Sequence, residues 1–364
     1  MSNKIINIDC KDNYKIVAIS DIHGHFDHFK KLIDKLSLKS SDYLIIIGDF
    51  INRGPNSYET YSFIKNLSTR PNTIILKGNH ESFIYNSLKD KKRADVFLEH
   101  FKAPHYKTII DDFVQLSNFD FQNCTSGIAF QKNIFDHHFE TLEFINSLPV
   151  MVNFDEFIFV HGGYDPAFKL PEDEGRFLKY DNYNKVSGIN NKMVVVGHWP
   201  ASNLRHTILT NLPLFNTQKN IITIDGGLGV KTSGELNAFI IEKKNGQIHY
   251  DCLQQNDFEL KTINRGHKFK KEKTIIVNYP NFEVEVIEKG DRISLCKHKK
   301  TNQYLSVFNS LLENNGRETS LKTIYVNKFF NLNPGEVVEV CKTYDDCVLI
   351  KHDNEFGWIL KEQL

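Results

Sequence analysis

The chain has 364 residues, of which 40% are hydrophobic and 25% are charged, and this composition is typical of a packed globular protein rather than a disordered one. Lysine plus arginine and aspartate plus glutamate each number 45, so the formal net charge is zero. A dominant positive field is thereby excluded, and with it a protein whose main activity is non-specific binding of nucleic acid. The length suits one large domain and one small domain.

The first residues and the cysteines indicate the class of protein. Met1 to Asp9 is polar and contains no apolar signal core, and no run of about 18 apolar residues occurs anywhere. We therefore expect a cytoplasmic protein with no membrane partner. The six cysteines form no C-x-x-C pair, which predicts reduced thiols rather than a structural zinc site or a disulfide framework.

Short apolar runs recur along the first two thirds of the chain, each next to a metal-ligand type of residue and a glycine. Short β-branched runs between turn residues predict buried strands. The predicted strands cover residues 15–20, 43–47, 73–76, 157–160, 193–196 and 221–224. Phe26 to Leu36 and Ser57 to Leu67 carry apolar residues at helical spacing and are predicted helices. This alternation predicts a mixed α/β (α+β) fold whose site lies beyond the carboxyl ends of its strands.

The segment from Ser82 to Phe144 is rich in aromatic, aspartate, lysine and histidine residues, and we predict a helical insertion over the site. Its histidines are poorer candidates for metal ligands than the strand-end residues, because those residues already suffice for two ions. The histidines are His100, His105, His137 and His138.

The character of the sequence changes near residue 260, where Asn264 to Lys273 is polar and basic and reads as a linker. The runs 335–340, 347–350 and 356–359 are separated by turn residues and predict a β-meander. With its Gly-Trp-hydrophobic tripeptide this region resembles the bacterial SH3-like fold. We predict a catalytic domain at 1–262 and a small all-β domain at 274–364, SH3-like at about 305–364, that either binds a peptide or glycan or packs on the catalytic domain.

Polar residues at the strand ends form an ordered set of hard and borderline metal ligands. Asp21 and His23 are two apart in an extended D-x-H, so both side chains are expected to face the same way. Asp49 is the natural bridging carboxylate, and a neutral amide and two imidazoles complete a second ion. Each motif alone is weak, whereas the whole set in one chain is strong. The predicted metal ligands are Asp21, His23, Asp49, Asn79, His161 and His198.

Two further residues beside these ligands suit work on a phosphoester. His80 adjoins Asn79 and is predicted to point away from the metals, free to act as a general acid. Arg53 lies four residues after Asp49, and its planar guanidinium can bind two phosphoryl oxygens at once.

The ordered motifs D-I-H-G-H, G-D-F-I-N-R-G, G-N-H-E, V-H-G-G and V-V-G-H-W-P resemble those of the calcineurin-like metallophosphoesterase superfamily, in its phosphoprotein phosphatase branch. The resemblance covers about residues 14 to 245. It implies a β-sandwich flanked by helices, with two divalent ions, Mn²⁺ foremost and Fe or Zn²⁺ as alternatives. By the same resemblance the first ion is held by Asp21, His23 and Asp49. The second is held by Asp49, Asn79, His161 and His198.

The resemblance also implies roles for other residues. Arg53 would bind the substrate phosphate, His80 would protonate the leaving alkoxide, and Asp225 would be structural. Ser/Thr phosphatases usually carry aspartate where this chain has Asn52, and that aspartate raises the pKa of the histidine that matches His80. Asn52 supplies no charge, so His80 should be less readily protonated.

A second phosphate-binding arginine is expected, for which Arg176 and Arg205 are the candidates. The resemblance implies a hydrolase of phosphate monoesters that uses a metal-bridging hydroxide, and a Ser/Thr protein phosphatase-like enzyme is the leading interpretation. One alternative is a hydrolase of dinucleoside polyphosphates, of the diadenosine tetraphosphate type, or of another small phosphate ester. Another is a catalytically silent metal-binding scaffold.

Overall fold

A computed structural model of the chain describes residues 4–10, 13–270 and 272–364. The described residues form two compact units. The first unit draws on residues 1–200, 213–229 and 236–255, and the second on 201–212, 230–235 and 256–364. The domain ranges 1–262 and 274–364 stay a prediction.

The first unit contains two sheets and the helices that cover them. Its strands are β1 (Ile5–Ile8), β2 (Tyr14–Ile19), β3 (Tyr43–Ile47), β4 (Thr73–Leu76), β5 (Met151–Phe154), β6 (Phe157–Val160), β7 (Met193–Val196), β8 (Leu214–Asn216), β9 (Ile221–Thr223), β10 (Leu236–Lys244) and β11 (Gln247–Gln255). Its α-helices are α1 (Phe26–Leu36), α2 (Ser57–Leu67), α3 (Asn79–Lys89), α4 (Ala94–Lys102), α5 (Ile109–Leu116), α6 (Gly127–Ser147), α7 (Glu174–Leu178) and α8 (Tyr183–Val186).

The two sheets pack face to face. One has the order β11-β10-β2-β3-β4 and the other β1-β5-β6-β7-β9-β8. On β3, Ile45 and Ile47 point into the core between the sheets, whereas Leu44 and Ile46 point to the core beneath α1 to α6. Both faces of this strand are buried, which is why its sequence is a continuous apolar run. The architecture is therefore a β-sandwich flanked by helices, as the resemblance implied.

The predicted elements of the first unit are largely confirmed. The strands at 43–47, 73–76, 157–160 and 193–196 and the helices at 26–36 and 57–67 have the predicted bounds. The strand predicted at 15–20 begins at Tyr14 and ends at Ile19, and the strand predicted at 221–224 ends at Thr223.

The segment between β4 and β5 is helical, as predicted, and consists of α3 to α6 with a short 3-10 helix at Lys91–Arg93. Its histidines contact protein groups. His138 stacks on Phe113 with ring centroids 4.1 Å apart, and its Nε2 donates to the Phe113 carbonyl. His105 lies 3.3 Å from Asp111.

The second unit is mostly β. Its strands are β12 (Glu259–Thr262), β13 (Ile276–Val277), β14 (Glu283–Glu288), β15 (Ile293–His298), β16 (Tyr304–Phe308), β17 (Leu312–Asn314), β18 (Thr319–Leu321), β19 (Tyr325–Val326), β20 (Val337–Thr343), β21 (Cys347–His352) and β22 (Glu355–Leu360). Short 3-10 helices occur at Ala201–Leu204, Asn309–Leu311 and Lys361–Gln363. The antiparallel order β20-β21-β22 confirms the predicted meander. The SH3-like assignment stays a prediction.

The structure describes the state of the cysteines and the character of the helices. All six cysteines are free thiols, and burial raises the pKa of Cys296 to about 11, which keeps that thiol protonated near neutral pH. Over the described ranges, no helix combines the length and the apolar character that crossing a lipid bilayer requires.

Candidate metal centre

The candidate ligands follow the carboxyl ends of parallel strands. β2, β3 and β4 are parallel neighbours, and so are β6 and β7. Asp21, Asp49 and Asn79 lie within three residues of the ends of the first three strands, and His161 and His198 lie within two residues of the ends of the other two. Neighbouring parallel strands end at the same edge of a sheet, so each sheet contributes its candidate ligands from one edge.

The extended D-x-H predicted for Asp21 and His23 is wrong. Both residues have left-handed backbones, with φ of 54° and 50°, and Asp49 and His198 have φ of 51° and 65°. Aspartate and histidine tolerate this region better than most residues, yet it still carries backbone strain. The His23 N–H donates to the Asp49 carbonyl at 2.9 Å, so the two ligand loops hold each other in these turns. Interlocked loops, not strand alternation, bring the side chains together.

Two glycines beside ligands are explained by close approach of backbone and side chain. A Cβ on Gly78 would lie 2.2 Å from Asp49 Oδ1, and a Cβ on Gly197 would lie 2.4 Å from Asp21 Oδ2. Neither distance is compatible with a side chain other than hydrogen. The recurring glycine next to a ligand is therefore required by how tightly the carboxylates pack against neighbouring loops.

Asp49 lies at the centre of the site and takes part in two groups of potential ligand atoms. In one group, ligand atoms of Asp49, His161 and His198 all lie within 4.8 Å of one another, and Asp49 Oδ2 is 3.1 Å from His161 Nε2. In the other, Asp49 joins His23 and His80 within the same distance. This shared position is what a bridging carboxylate requires.

Asp21 also belongs to this region. Its Oδ1 lies 3.8 Å from His23 Nε2, and its Oδ2 accepts from the His198 backbone N–H at 3.0 Å. The structure therefore brings Asp21, His23 and Asp49 together, as predicted. It also brings His80, predicted to point away, close enough to His23 and Asp49 to count among the potential ligands.

Hydrogen bonds fix which imidazole nitrogen faces the centre. His161 Nδ1 donates to the Ile47 carbonyl at 2.8 Å, which leaves Nε2 as the ligand atom. His198 is turned the other way, because its Nε2 lies 2.8 Å from Asp181 Oδ1. Asp181 is thus a supporting carboxylate of the kind that orients metal-bound histidines. No sequence motif marked it, since it lies in a polar loop before α8.

The electrostatics of the buried carboxylates favour positive charge beside Asp49. Burial raises the pKa of Asp21 to about 6, and burial together with Asp21 raises the pKa of Asp225 well above its usual range. Burial acts on Asp49 in the same direction, but His161 and His80 hold its pKa well below the usual range. Burial opposes the charging of His161, whereas Asp49 and Asp21 raise its pKa to about 10. A divalent cation would satisfy the same carboxylates.

Asn79 completes the donor set. One of its amide atoms lies 2.8 Å from His198 Nδ1, 3.2 Å from His161 Nε2 and 3.3 Å from Asp49 Oδ2. Hydrogen bonding alone would place the amide nitrogen there, whereas a cation among these atoms would turn the oxygen inward. One carboxylate, one amide and two imidazoles converge on this point, and that set fits a borderline divalent ion such as Mn²⁺, Fe²⁺ or Zn²⁺.

Glu81 supports the Asp49 loop from beneath. Its Oε2 accepts the backbone N–H groups of Asp49 and Gly78, both at 2.8 Å, and its Oε1 accepts those of Phe50 and Ile51 at 3.0 and 3.3 Å. The side chain is fully buried. Helix-start patterns explain only the bond to Gly78, so sequence reasoning missed the support of the Asp49 loop.

His80 and Asn52 are in contact. Asn52 Oδ1 accepts the Ile109 N–H at 2.9 Å, which orients the amide so that Nδ2 donates to His80 Nδ1 at 3.1 Å. The proton of neutral His80 is thus on Nε2. Burial lowers the pKa of His80, and so does Arg53, although Asp49 acts to raise it.

Arg53 is close to His80 through a shared neighbour. The Arg53 guanidinium lies over the ring of Tyr106, whose ring also approaches the His80 imidazole. Within the described ranges, the Arg53 Nε atom is buried without a hydrogen-bond partner, as suits a group that binds an oxygen of a substrate.

The two candidates for a second arginine have other surroundings. Arg176 is exposed, lies 3.5 Å from Asp173 and covers the ring of Phe168, and neither contact joins it to the candidate ligands. Arg205 belongs to the second unit, where its guanidinium donates to the Leu212 carbonyl. Asp225 accepts the Gly227 N–H at 2.7 Å and is fully buried, which suits the structural role predicted for it.

The profile of the family described as calcineurin-like phosphoesterase matches residues 14–202, just over half of the chain. Bis(5'-nucleosyl)-tetraphosphatase, symmetrical, of Aromatoleum aromaticum is 35% identical over 100 residues, which cover 26% of this chain and 36% of that protein. The protein of the same name from Vibrio campbellii is 26% identical, covering 42% and 46%. The matches thus span less than half of these relatives. A solved protein serine/threonine phosphatase from Saccharomyces cerevisiae has 15% identity and a TM-score of 0.41, covering 69% and 84%.

Proposed function

Because the chain belongs to the calcineurin-like phosphoesterase family, we propose that it is a metal-dependent hydrolase of phosphate esters and anhydrides. The observation that carries the proposal is the convergence of His23, His161 and His198 on the shared carboxylate of Asp49. We assign the first ion to Asp21, His23 and Asp49, and the second to Asp49, Asn79, His161 and His198. Mn²⁺ is our first choice of ion, with Fe and Zn²⁺ as alternatives.

The bound ions would supply an acidified water and neutralise the phosphoryl oxygens. The chain's own residues then have distinct tasks. Arg53 binds the phosphoryl group through its forked N–H donors. His80 lies beside the candidate ligands, and its Nε2, the nitrogen that does not face Asn52, can deliver a proton to the leaving oxygen when the imidazole is protonated. Asn52 positions His80 and determines its tautomer.

For the substrate, we propose a nucleoside polyphosphate in preference to a phosphoprotein. This order reverses the leading interpretation from the sequence, and it is supported by the names of the curated relatives, which are bis(5'-nucleosyl)-tetraphosphatases. Asn52 weakens the case for a standard Ser/Thr phosphatase, but by itself it does not separate the two classes, because diadenosine tetraphosphatases resemble the same pattern. A Ser/Thr protein phosphatase activity stays the second candidate.

Diadenosine tetraphosphate and a phosphoserine peptide, offered separately to the purified chain with Mn²⁺, test the proposal. We expect kcat/KM to favour the nucleotide by about tenfold or more, since a site with fitted contacts discriminates at least this well. A preference for the peptide would establish the second candidate instead. If neither compound were hydrolysed with Mn²⁺, Fe²⁺ or Zn²⁺, the result would favour a catalytically silent metal-binding scaffold.

Asn52→Asp is expected to move the alkaline limb of the pH–rate profile to higher pH. The carboxylate keeps the bond from the Ile109 N–H and accepts a hydrogen bond from the Nδ1–H of protonated His80, so the pKa of His80 rises. If protonated His80 is the acid, its activity is lost as pH rises through that pKa, and a higher pKa postpones the loss. The exposed Asn66→Asp is the control, and an unmoved alkaline limb in Asn52→Asp would count against His80 as the acid.

A further inference from the structure

Tyr106 presents an exposed aromatic ring beside the candidate substrate-binding residues. The guanidinium carbon of Arg53 is 4.9 Å from the ring centroid, and the His80 imidazole is tilted against the ring at 6.0 Å between centroids. The side chain nevertheless remains 47% exposed. Tyr106 is therefore accessible to a ligand beside the place where a phosphate would meet Arg53.

The position of Tyr106 is set by its neighbours along the chain rather than by its own side chain. The Arg53 N–H donates to the Lys107 carbonyl at 2.7 Å, and Lys107 Nζ lies 2.8 Å from Asp112 Oδ1. Two residues after Lys107, the Ile109 N–H donates to Asn52 Oδ1 at 2.9 Å. These bonds join the loop before α5 to the loop that carries Arg53, so the backbone next to Tyr106 is held beside Arg53.

A half-exposed aromatic residue beside Arg53 suits one kind of ligand better than others. Aromatic rings stack on the flat faces of nucleobases. An arginine guanidinium over an aromatic ring adds a cation–π attraction. A phosphoserine side chain is small and aliphatic and offers no such face. A nucleoside phosphate has a sugar between phosphate and base, which lets its phosphate reach Arg53 while its base covers the exposed ring of Tyr106.

We propose that Tyr106 is a specificity-determining residue that stacks on the base of a nucleoside phosphate while Arg53 binds the phosphate. This inference rests on the proposed function, because it takes Arg53 to be the phosphate-binding group. It goes beyond that function by assigning the recognition of the base to one side chain of the helical insertion.

Calorimetric titration of the full chain with adenosine 5'-monophosphate and with ribose 5-phosphate tests the assignment, in a chelator so that neither phosphate monoester is hydrolysed. The two ligands differ in the base, which replaces the anomeric hydroxyl of the sugar. For Tyr106→Ala we expect Kd for the nucleotide to rise roughly 5- to 100-fold, the range typical of a lost base–aromatic stack. Tyr106→Phe keeps the ring and should bind both ligands like the parent chain. Tyr304→Ala removes a tyrosine that is 54% exposed on the second unit and should change neither constant.

Three outcomes would overturn the assignment. If Tyr106→Ala raised Kd for both ligands by the same factor, the ring would only hold Arg53 in place. Unchanged binding of the nucleotide in that variant, or equal affinity of the parent chain for the two ligands, would mean that no base stacks there. The titration measures binding and does not depend on hydrolysis. A chain that hydrolyses no phosphate ester would therefore contradict the proposed function, whereas the role of Tyr106 in binding would still be measured.

Discussion

Replacing Asp49 by asparagine is expected to lower kcat/KM for any phosphate ester by at least about 10³-fold, because the shared ligand of two ions loses its charge. Among the described residues, Asp49 is the carboxylate that the two groups of potential ligand atoms share. Asparagine keeps the oxygen that accepts the His80 N–H at 2.8 Å, which preserves the start of α3. The loss should therefore come from the metals and not from the fold.

A second measurement separates these causes. If Mn²⁺ binds the folded chain and not the unfolded chain, the melting temperature rises as the Mn²⁺ concentration increases. We expect this rise in the parent chain and in Asp136→Asn, an exposed aspartate on α6, and a much smaller one in Asp49→Asn. If Asp49→Asn kept both the rise and the activity within tenfold of the parent chain, the bridging role would be refuted.

Much of the sandwich could be predicted because its strands are buried on both faces. β3 reads as five consecutive apolar residues since alternate side chains enter two different cores, and the same holds for neighbouring parallel strands. The candidate ligands could also be identified from the sequence, because close packing leaves a pattern there. The carboxylates pack so closely that Gly78 and Gly197 are required beside them, which leaves a recurring glycine in the sequence.

The parts that sequence did not reveal depend on contacts between distant loops. The left-handed turns at Asp21 and His23 are held by bonds to the loop after β3. Tyr106 reaches Arg53 only because two loops about fifty residues apart are joined by hydrogen bonds. Asp181 meets His198 across a gap of 17 residues. No local spacing or periodicity encodes such pairs, so a pattern read along one chain cannot find them.

Glu81→Gln is expected to lower the free energy of unfolding by about 2–4 kcal/mol, because a buried amide group would face backbone donors. Each carboxylate oxygen of Glu81 accepts two backbone N–H groups around Asp49 and Gly78. Glutamine offers one oxygen, so two of those N–H groups would meet an NH₂ group instead. The same change loosens the loop that carries Asp49, and activity should fall with stability.

Urea unfolding in the presence of a chelator measures this effect without a contribution from bound metal. Glu99→Gln, an exposed glutamate on α4, is the matched control and should unfold like the parent chain. Glu81→Asp retains both oxygens but is one methylene too short to reach all four donors, so we expect an intermediate loss. A free energy of unfolding of Glu81→Gln within about 0.5 kcal/mol of the value for the parent chain would show that the loop does not depend on this carboxylate. If only the Glu81 variants lost stability, the loop that carries Asp49 would be supported by the buried Glu81 carboxylate as well as by the ends of the strands.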